Sequence, residues 1–231
     1  MTGMLELFSL CTAFRIITGF CKVTNASLIT QARNECVNLF LQSDFTHLFF
    51  IDADMGFSGK EAGTLIHFML SDTEKKYDIL SAAYPKKEIH WEHIKLAVEE
   101  GLLLEDDRNL SKYAGKFSID TEDINFSKQI PVETNTANTG FMLIPRKTLE
   151  KFVQAYPERQ ICTQNKELWH SFFDCIIDEN TKQFLSEDVM FCQYIRKMGG
   201  RIWTIPDLEL SHQGLYTYQG HFMKDLEIYP M

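Results

Sequence analysis

The chain has 231 residues, 45% of them hydrophobic and 24% charged, which suits one large globular domain with a core of its own. A net charge of -9 and a pI near 5.3 make free nucleic acid and anionic membrane surfaces poor default partners. No window reaches the ~18 apolar residues of a membrane span, and the opening MTGMLELFSLCTAF lacks the basic start and small-residue cleavage site of a signal peptide, so a cytoplasmic location is expected.

Met4 to Phe14 reads as a helix with a broad apolar face, and Arg15 to Val23 (RIITGFCKV) as a strand. Helical spacing of Leu28, Ala32, Cys36, Leu39 and Phe40 predicts a helix from about Ala26 to Gln42. His47 to Ile51 (HLFFI) follows as a buried strand. Ser58 and Glu61 have the spacing of a capping box, which starts a helix running to about Leu70. YDILSAAYP is a further strand, ended by Pro85, and HWEHIKLAVEEG a short helix closed by Gly101.

Residues 102 to 130 are polar and weakly periodic, an excursion rather than core. Asn138 to Arg146 (NTGFMLIPR) is a strand and RKTLEKFVQAY a helix, with residues 157 to 184 mixed. SEDVMFCQYIRKMGG carries a full set of helix signals: Ser186 as cap, acids in the first turn, bases in the last, glycines at the end. RIWTIPDLEL is a strand, and the aromatic tail SHQGLYTYQGHF reads as loop. This alternation predicts a single α/β domain over residues 1–231, with a mostly parallel sheet flanked by helices. Six cysteines without a CxxC pair read as buried, reduced thiols.

The chemistry concentrates in IDADMGF. In an extended segment Asp52 and Asp54 point the same way and face one ligand at a strand's carboxyl end, where α/β sheets bind. Two like charges so close call for a cation, and carboxylate oxygens suit a hard divalent ion, Mg2+ or Mn2+. Such an ion holds a diphosphate and offsets the charge that grows as it leaves. The plain alternative is a turn in which each aspartate caps local amides. An EF-hand fails, because Phe57 and Gly63 stand where ligands are required. A haloacid-dehalogenase-type phosphohydrolase stays a rival, with Asp52 as nucleophile. Glu187 and Asp188 sit at a helix start, His212 beside a glycine, and His90 and His93 lack the HExxH zinc pattern.

Taken in order, SLITQARN, HLFFIDADMGF, AAYPKK, NTGFMLIPR, SEDVMFCQYIRKMGG and LSHQG resemble the family 2-related nucleotide-sugar glycosyltransferases of GT-A (Rossmann-like) fold, including virus- and phage-encoded members. The likeness spans roughly residues 25 to 222. It implies that Asp52 lies near the ribose or donor sugar. Asp54, with Asp52 and His212, would bind Mn2+ or Mg2+. Arg33 and Lys86 would lie near the nucleotide or its phosphates, and Asn138 and Gly140 beside the donor sugar. Asp188, with Glu187 second, would be the catalytic base of an inverting transfer, although the sequence leaves retention open.

The partners the resemblance implies are a nucleotide-sugar donor, a UDP-sugar in the first instance, and a hydroxyl acceptor on a glycan, a protein or modified DNA. The usual first strand of that fold is not found at the start of this sequence. A non-catalytic remnant that binds a nucleotide sugar or glycan is therefore a second rival.

Overall fold

The computed structural model describes residues 2–101, 111, 113–117, 119–121, 130–163 and 165–223. Most of the polar excursion at 102–130 therefore lies outside the described residues.

The N-terminal helix α1 spans Thr2–Ala13. The strand expected over Arg15 to Val23 does not form. The segment is extended, but Ile17 and Phe20 are exposed and none of the backbone N–H groups from residues 17 to 27 donates to the described chain. Alternating apolar residues give a stretch strand-like chemistry, but a strand exists only where a neighbour pairs with it. Helix α2, Ile29–Leu41, begins three residues later than expected. The Arg146 guanidinium closes its far end by donating to the carbonyls of Phe40, Leu41, Ser43 and Phe45.

The central sheet is built from β1 (His47–Ile51), β3 (Ile79–Ala82), β4 (Val132–Thr134), β5 (Phe141–Pro145) and β10 (Ile202–Ile205), in the order β1-β5-β3-β10-β4. Only β3 and β10 pair in parallel. The β1–β5, β5–β3 and β10–β4 pairs are antiparallel. The mostly parallel sheet expected from the sequence is thus corrected to a mixed one. The physical reason is specific. β1, β3 and β10 do share one direction, as crossover helices require, but β5 inserts between β1 and β3 and runs the other way.

β5 is buried at all five positions, and its neighbours sort by face. Met142 and Ile144 join Val37, Phe40, Phe152, Phe172, Phe173 and Phe191 on one side. Phe141 and Leu143 join Leu7, Leu65 and Met69 on the other. Helices α2, α5 (Arg146–Ala155) and α6 (Glu187–Lys197) cover the first face, and α1 and α3 (Gly59–Leu70) the second. β1 forms the sheet edge and is half-buried rather than buried, with Phe50 its one buried residue. Helix α4 covers Trp91–Glu99, where the short helix was expected.

Three further differences arise from pairing that sequence does not display. The tail read as loop contains β11 (Ser211–Gln213) and β12 (Thr217–Gln219), which form a small sheet with β2 (Met55–Gly56). Residues 157 to 184 hold the pairs β6–β7 (Gln160–Cys162 with Leu168–His170) and β8–β9 (Ile176–Ile177 with Phe184–Leu185). The Asn34 and Asn38 side chains of α2 bind the backbone of His170, Phe172 and Phe173, which seats those two phenylalanines in the core. The cysteines are not uniformly buried: Cys21, Cys162 and Cys175 are exposed. Burial, with the adjacent Cys21 thiol, pushes the Cys36 thiol up to about 11. Among the described residues no helix is long and apolar enough to cross a membrane.

Candidate functional site

The shared direction of β1, β3 and β10 brings their carboxyl ends to one edge of the sheet, and antiparallel β5 starts at that same edge. Asp52 follows β1, Tyr84 follows β3, and Gly140 precedes β5. Backbone bonds lock the three together. The Asp52 N–H donates to the Gly140 carbonyl at 2.9 Å, and the Gly140 N–H donates to the Tyr84 hydroxyl at 3.0 Å.

A turn at Ala53–Asp54, closed by the Met55 N–H donating to the Asp52 carbonyl at 3.0 Å, interrupts the extended chain. The two aspartates take separate protein partners. Asp52 accepts from both terminal nitrogens of Arg33, at 3.1 and 3.0 Å, a bidentate pair. Arg33 Nε reaches Glu187 Oε1 at 3.4 Å, and its guanidinium lies over the Phe50 ring. Only 7% of the Arg33 side chain is exposed. Burial lowers its pKa, but the Asp52 and Glu187 charges outweigh that and leave it raised. Arg33 thus bridges two carboxylates, and each Asp52 oxygen accepts one of its N–H groups.

Asp54 is the freer carboxylate. Its Oδ2 accepts from Lys87 Nζ at 2.6 Å and lies 3.5 Å from His212 Nε2. His212 arrives on β11, which pairs with β2 just after the turn, so the small sheet exists where it can aim the imidazole. His212 Nδ1 lies 3.1 Å from the Pro85 carbonyl, which can only accept, so the proton belongs on Nδ1. Nε2 then faces a carboxylate oxygen, a contact satisfied by a second ring proton or by a cation between the two. Burial raises the Asp54 pKa, but the hydrogen bond from Lys87 and the His212 ring outweigh it and hold the carboxyl below its usual range.

Among the described residues no three His, Cys, Asp or Glu side chains gather to hold a metal ion. Of the three residues expected to hold a metal, Asp54 and His212 lie together, a carboxylate and an imidazole that could supply two donors to an ion such as Mn2+.

Tyr84 joins the two halves of the site. Its ring packs edge-on against His212 at 5.6 Å, and burial followed by the Asp52 and Asp188 charges pushes its phenol far up, so the hydroxyl stays protonated. A side chain on Gly140 would overlap that hydroxyl and come within 3.3 Å of Asp52 Oδ2. The space expected beside Gly140 for a donor sugar is therefore filled by Tyr84. Gly140→Ala is expected to lower stability by about 1–3 kcal/mol through overpacking, measured by urea unfolding, and Tyr84→Phe in the same chain should recover part of it.

Glu187 and Asp188 open α6, as the sequence predicts. Ser186 occupies the cap position without capping; its hydroxyl donates to Asp188 Oδ1, which also accepts the Val189 N–H at 2.8 Å. Ser58, by contrast, does cap α3: it accepts from the Lys60 N–H, and Glu61 accepts the Ser58 N–H.

The fold thus gathers Arg33, Asp52, Asp54, Gly140, Glu187, Asp188 and His212. Asn138 contributes a backbone carbonyl, which accepts from the Ser81 hydroxyl at 3.1 Å. Lys86 is exposed, and its described bond is a backbone one to Lys116. Lys87 and Tyr84 escaped the sequence reading. Both lie in AAYPKK, directly beyond a strand end, and that position was the available signal.

No family model and no curated protein matches the chain. Among solved structures it is similar to the crystal structure of A197 from STIV, with a TM-score of 0.47 and 16% identity over 91% of this chain and 79% of that one. The chain is a mixed α/β protein, and its site is defined by its own residues.

Proposed function

We propose that the chain is a metal-dependent glycosyltransferase, moving a sugar from a nucleotide-sugar donor, a UDP-sugar in the first instance, to a hydroxyl acceptor. The observation that carries this reading is one cluster at the sheet's carboxyl edge. In it the Asp54–His212 pair meets Tyr84, Tyr84 accepts from the Gly140 N–H beside Asp52, and Arg33 ties Asp52 to Glu187 at the start of α6.

Asp54 and His212 would hold Mn2+ or Mg2+, and the bound ion would supply charge neutralisation for the departing nucleoside diphosphate. Asp188 takes the proton of the acceptor hydroxyl as that oxygen attacks the anomeric carbon. Both of its hydrogen bonds fall on Oδ1, which leaves Oδ2 for this proton. A single displacement of this kind inverts the anomeric centre. Arg33 holds Asp52 and Glu187 in place, and Tyr84 excludes water from the space beside Gly140. The bidentate Arg33–Asp52 pair works against the phosphohydrolase rival, because a carboxylate with both oxygens engaged is a poor nucleophile.

The test is donor binding by calorimetry, with and without Mn2+, followed by turnover. Wild-type protein should bind a nucleotide sugar only in Mn2+. Asp54→Asn should lose that binding while keeping its melting temperature within about 2 °C, since the side chain is only half-buried and lies outside the core. Donor affinity unchanged in Asp54→Asn sinks the assignment. Metal-dependent binding without turnover of any acceptor moves the chain to the non-catalytic rival.

A further inference from the structure

Lys87 has no role in the reading above, yet it makes the shortest ion pair with the cation-facing carboxylate. Its Nζ sits 2.6 Å from Asp54 Oδ2, the same oxygen that faces His212 Nε2 at 3.5 Å. A divalent ion bound to that oxygen would need to approach to ~2.0–2.2 Å. An ammonium already there occupies the approach and repels the newcomer.

Lys87 is held loosely. Its side chain is 42% exposed, and its stem passes over Gly214, where a side chain would lie only 3.6 Å from the Lys87 Cδ. The head can therefore swing while the stem stays in its track. Charge favours that swing only for one kind of visitor. A bare divalent ion would leave Lys87 and the new charge together beside a single aspartate. An ion that arrives with a doubly negative diphosphate leaves Asp54, Lys87, the ion and the ligand balanced.

We propose that Lys87 is the resident cation of the Asp54–His212 site and a diphosphate ligand. Its ammonium gives up Asp54 to an incoming divalent ion and moves onto the phosphate oxygens that arrive with it. The inference rests on the metal–diphosphate reading of the site but not on sugar transfer. It makes the site select the metal–diphosphate complex over free metal, and it assigns Lys87, in place of Lys86, as the phosphate-binding lysine of AAYPKK.

The test uses Mn2+ alone, read as loss of the free Mn2+ electron paramagnetic resonance signal, and preformed Mn2+–pyrophosphate, read by equilibrium dialysis of labelled pyrophosphate against the protein. Wild type, Lys87→Met, Asp54→Asn and the double variant are compared. Removing the competing charge should tighten binding of Mn2+ alone by about tenfold in Lys87→Met, a modest factor because the pair is half-exposed and screened. The same variant should bind Mn2+–pyrophosphate about tenfold more weakly, having lost a charged phosphate ligand. Adding Asp54→Asn should erase the first gain.

Opposite signs for the two probes support the proposal. Equal shifts of one sign, or no gain for Mn2+ alone, overturn it even if nucleotide sugars are turned over. Mn2+-dependent pyrophosphate binding that depends on Lys87 in a chain inactive towards every nucleotide sugar supports it while removing the transferase reading. No Mn2+ binding by any of the four proteins, with or without pyrophosphate, overturns both.

Discussion

Asp188→Asn is expected to lower the rate of sugar transfer by about 10²–10⁴-fold while donor affinity stays within a factor of about three, because a general base contributes to the transition state and little to ground-state binding. The substitution is clean for a structural reason. The Ser186 hydroxyl and the Val189 N–H both donate to Asp188 Oδ1, and an asparagine carbonyl accepts both in the same place. What disappears is the basic Oδ2. Glu187→Gln is the informative comparison. Glu187 is 14% exposed and tied to Arg33, so its loss should reduce stability more than chemistry. Single-turnover rates with saturating donor separate the two variants. Full activity in Asp188→Asn, with activity lost in Glu187→Gln at unchanged stability, would move the base to Glu187.

Arg33→Met is expected to cost about 3 kcal/mol of folding stability, the lower end of the range for breaking a buried pair, because Asp52 is one-third exposed and water can reach part of it. The methionine fills the space over Phe50, so the loss is mainly one of charge: Asp52 and Glu187 are left with no guanidinium between them. Arg33→Lys should recover less than half, since an ammonium cannot offer two parallel N–H groups to one carboxylate. Urea unfolding at neutral pH measures both. A loss below about 1 kcal/mol would mean that Asp52 finds its charge compensation in water. If Arg33 were instead a phosphate ligand, its removal would leave stability alone and weaken donor binding.

Much of the local structure was legible along the chain. The helix with acids in its first turn and bases in its last lies at Glu187–Lys197, and the Ser58–Glu61 spacing starts α3. These signals are local: a cap, a dipole and a 3.6-residue period act within a few residues and need no distant partner. The apolar runs HLFFI and FMLIP form strands for a similar reason. RIITGFCKV has comparable chemistry and forms none, because whether a strand exists is decided by the chain beside it.

The sequence by itself determined that the helices form and, for α3 and α6, where they begin, and that carboxylates stand at the end of β1. The tertiary structure alone decided the direction of β5, which turns an expected parallel sheet into a mixed one and sets Gly140 beside Asp52. It also decided the partner of each charge: Arg33 for Asp52, Lys87 and His212 for Asp54. Those pairings join residues up to 158 positions apart along the chain, as between Asp54 and His212. A Coulomb contact depends on distance in space, and hydrophobic patterning records which side of an element is buried but not what lies opposite it.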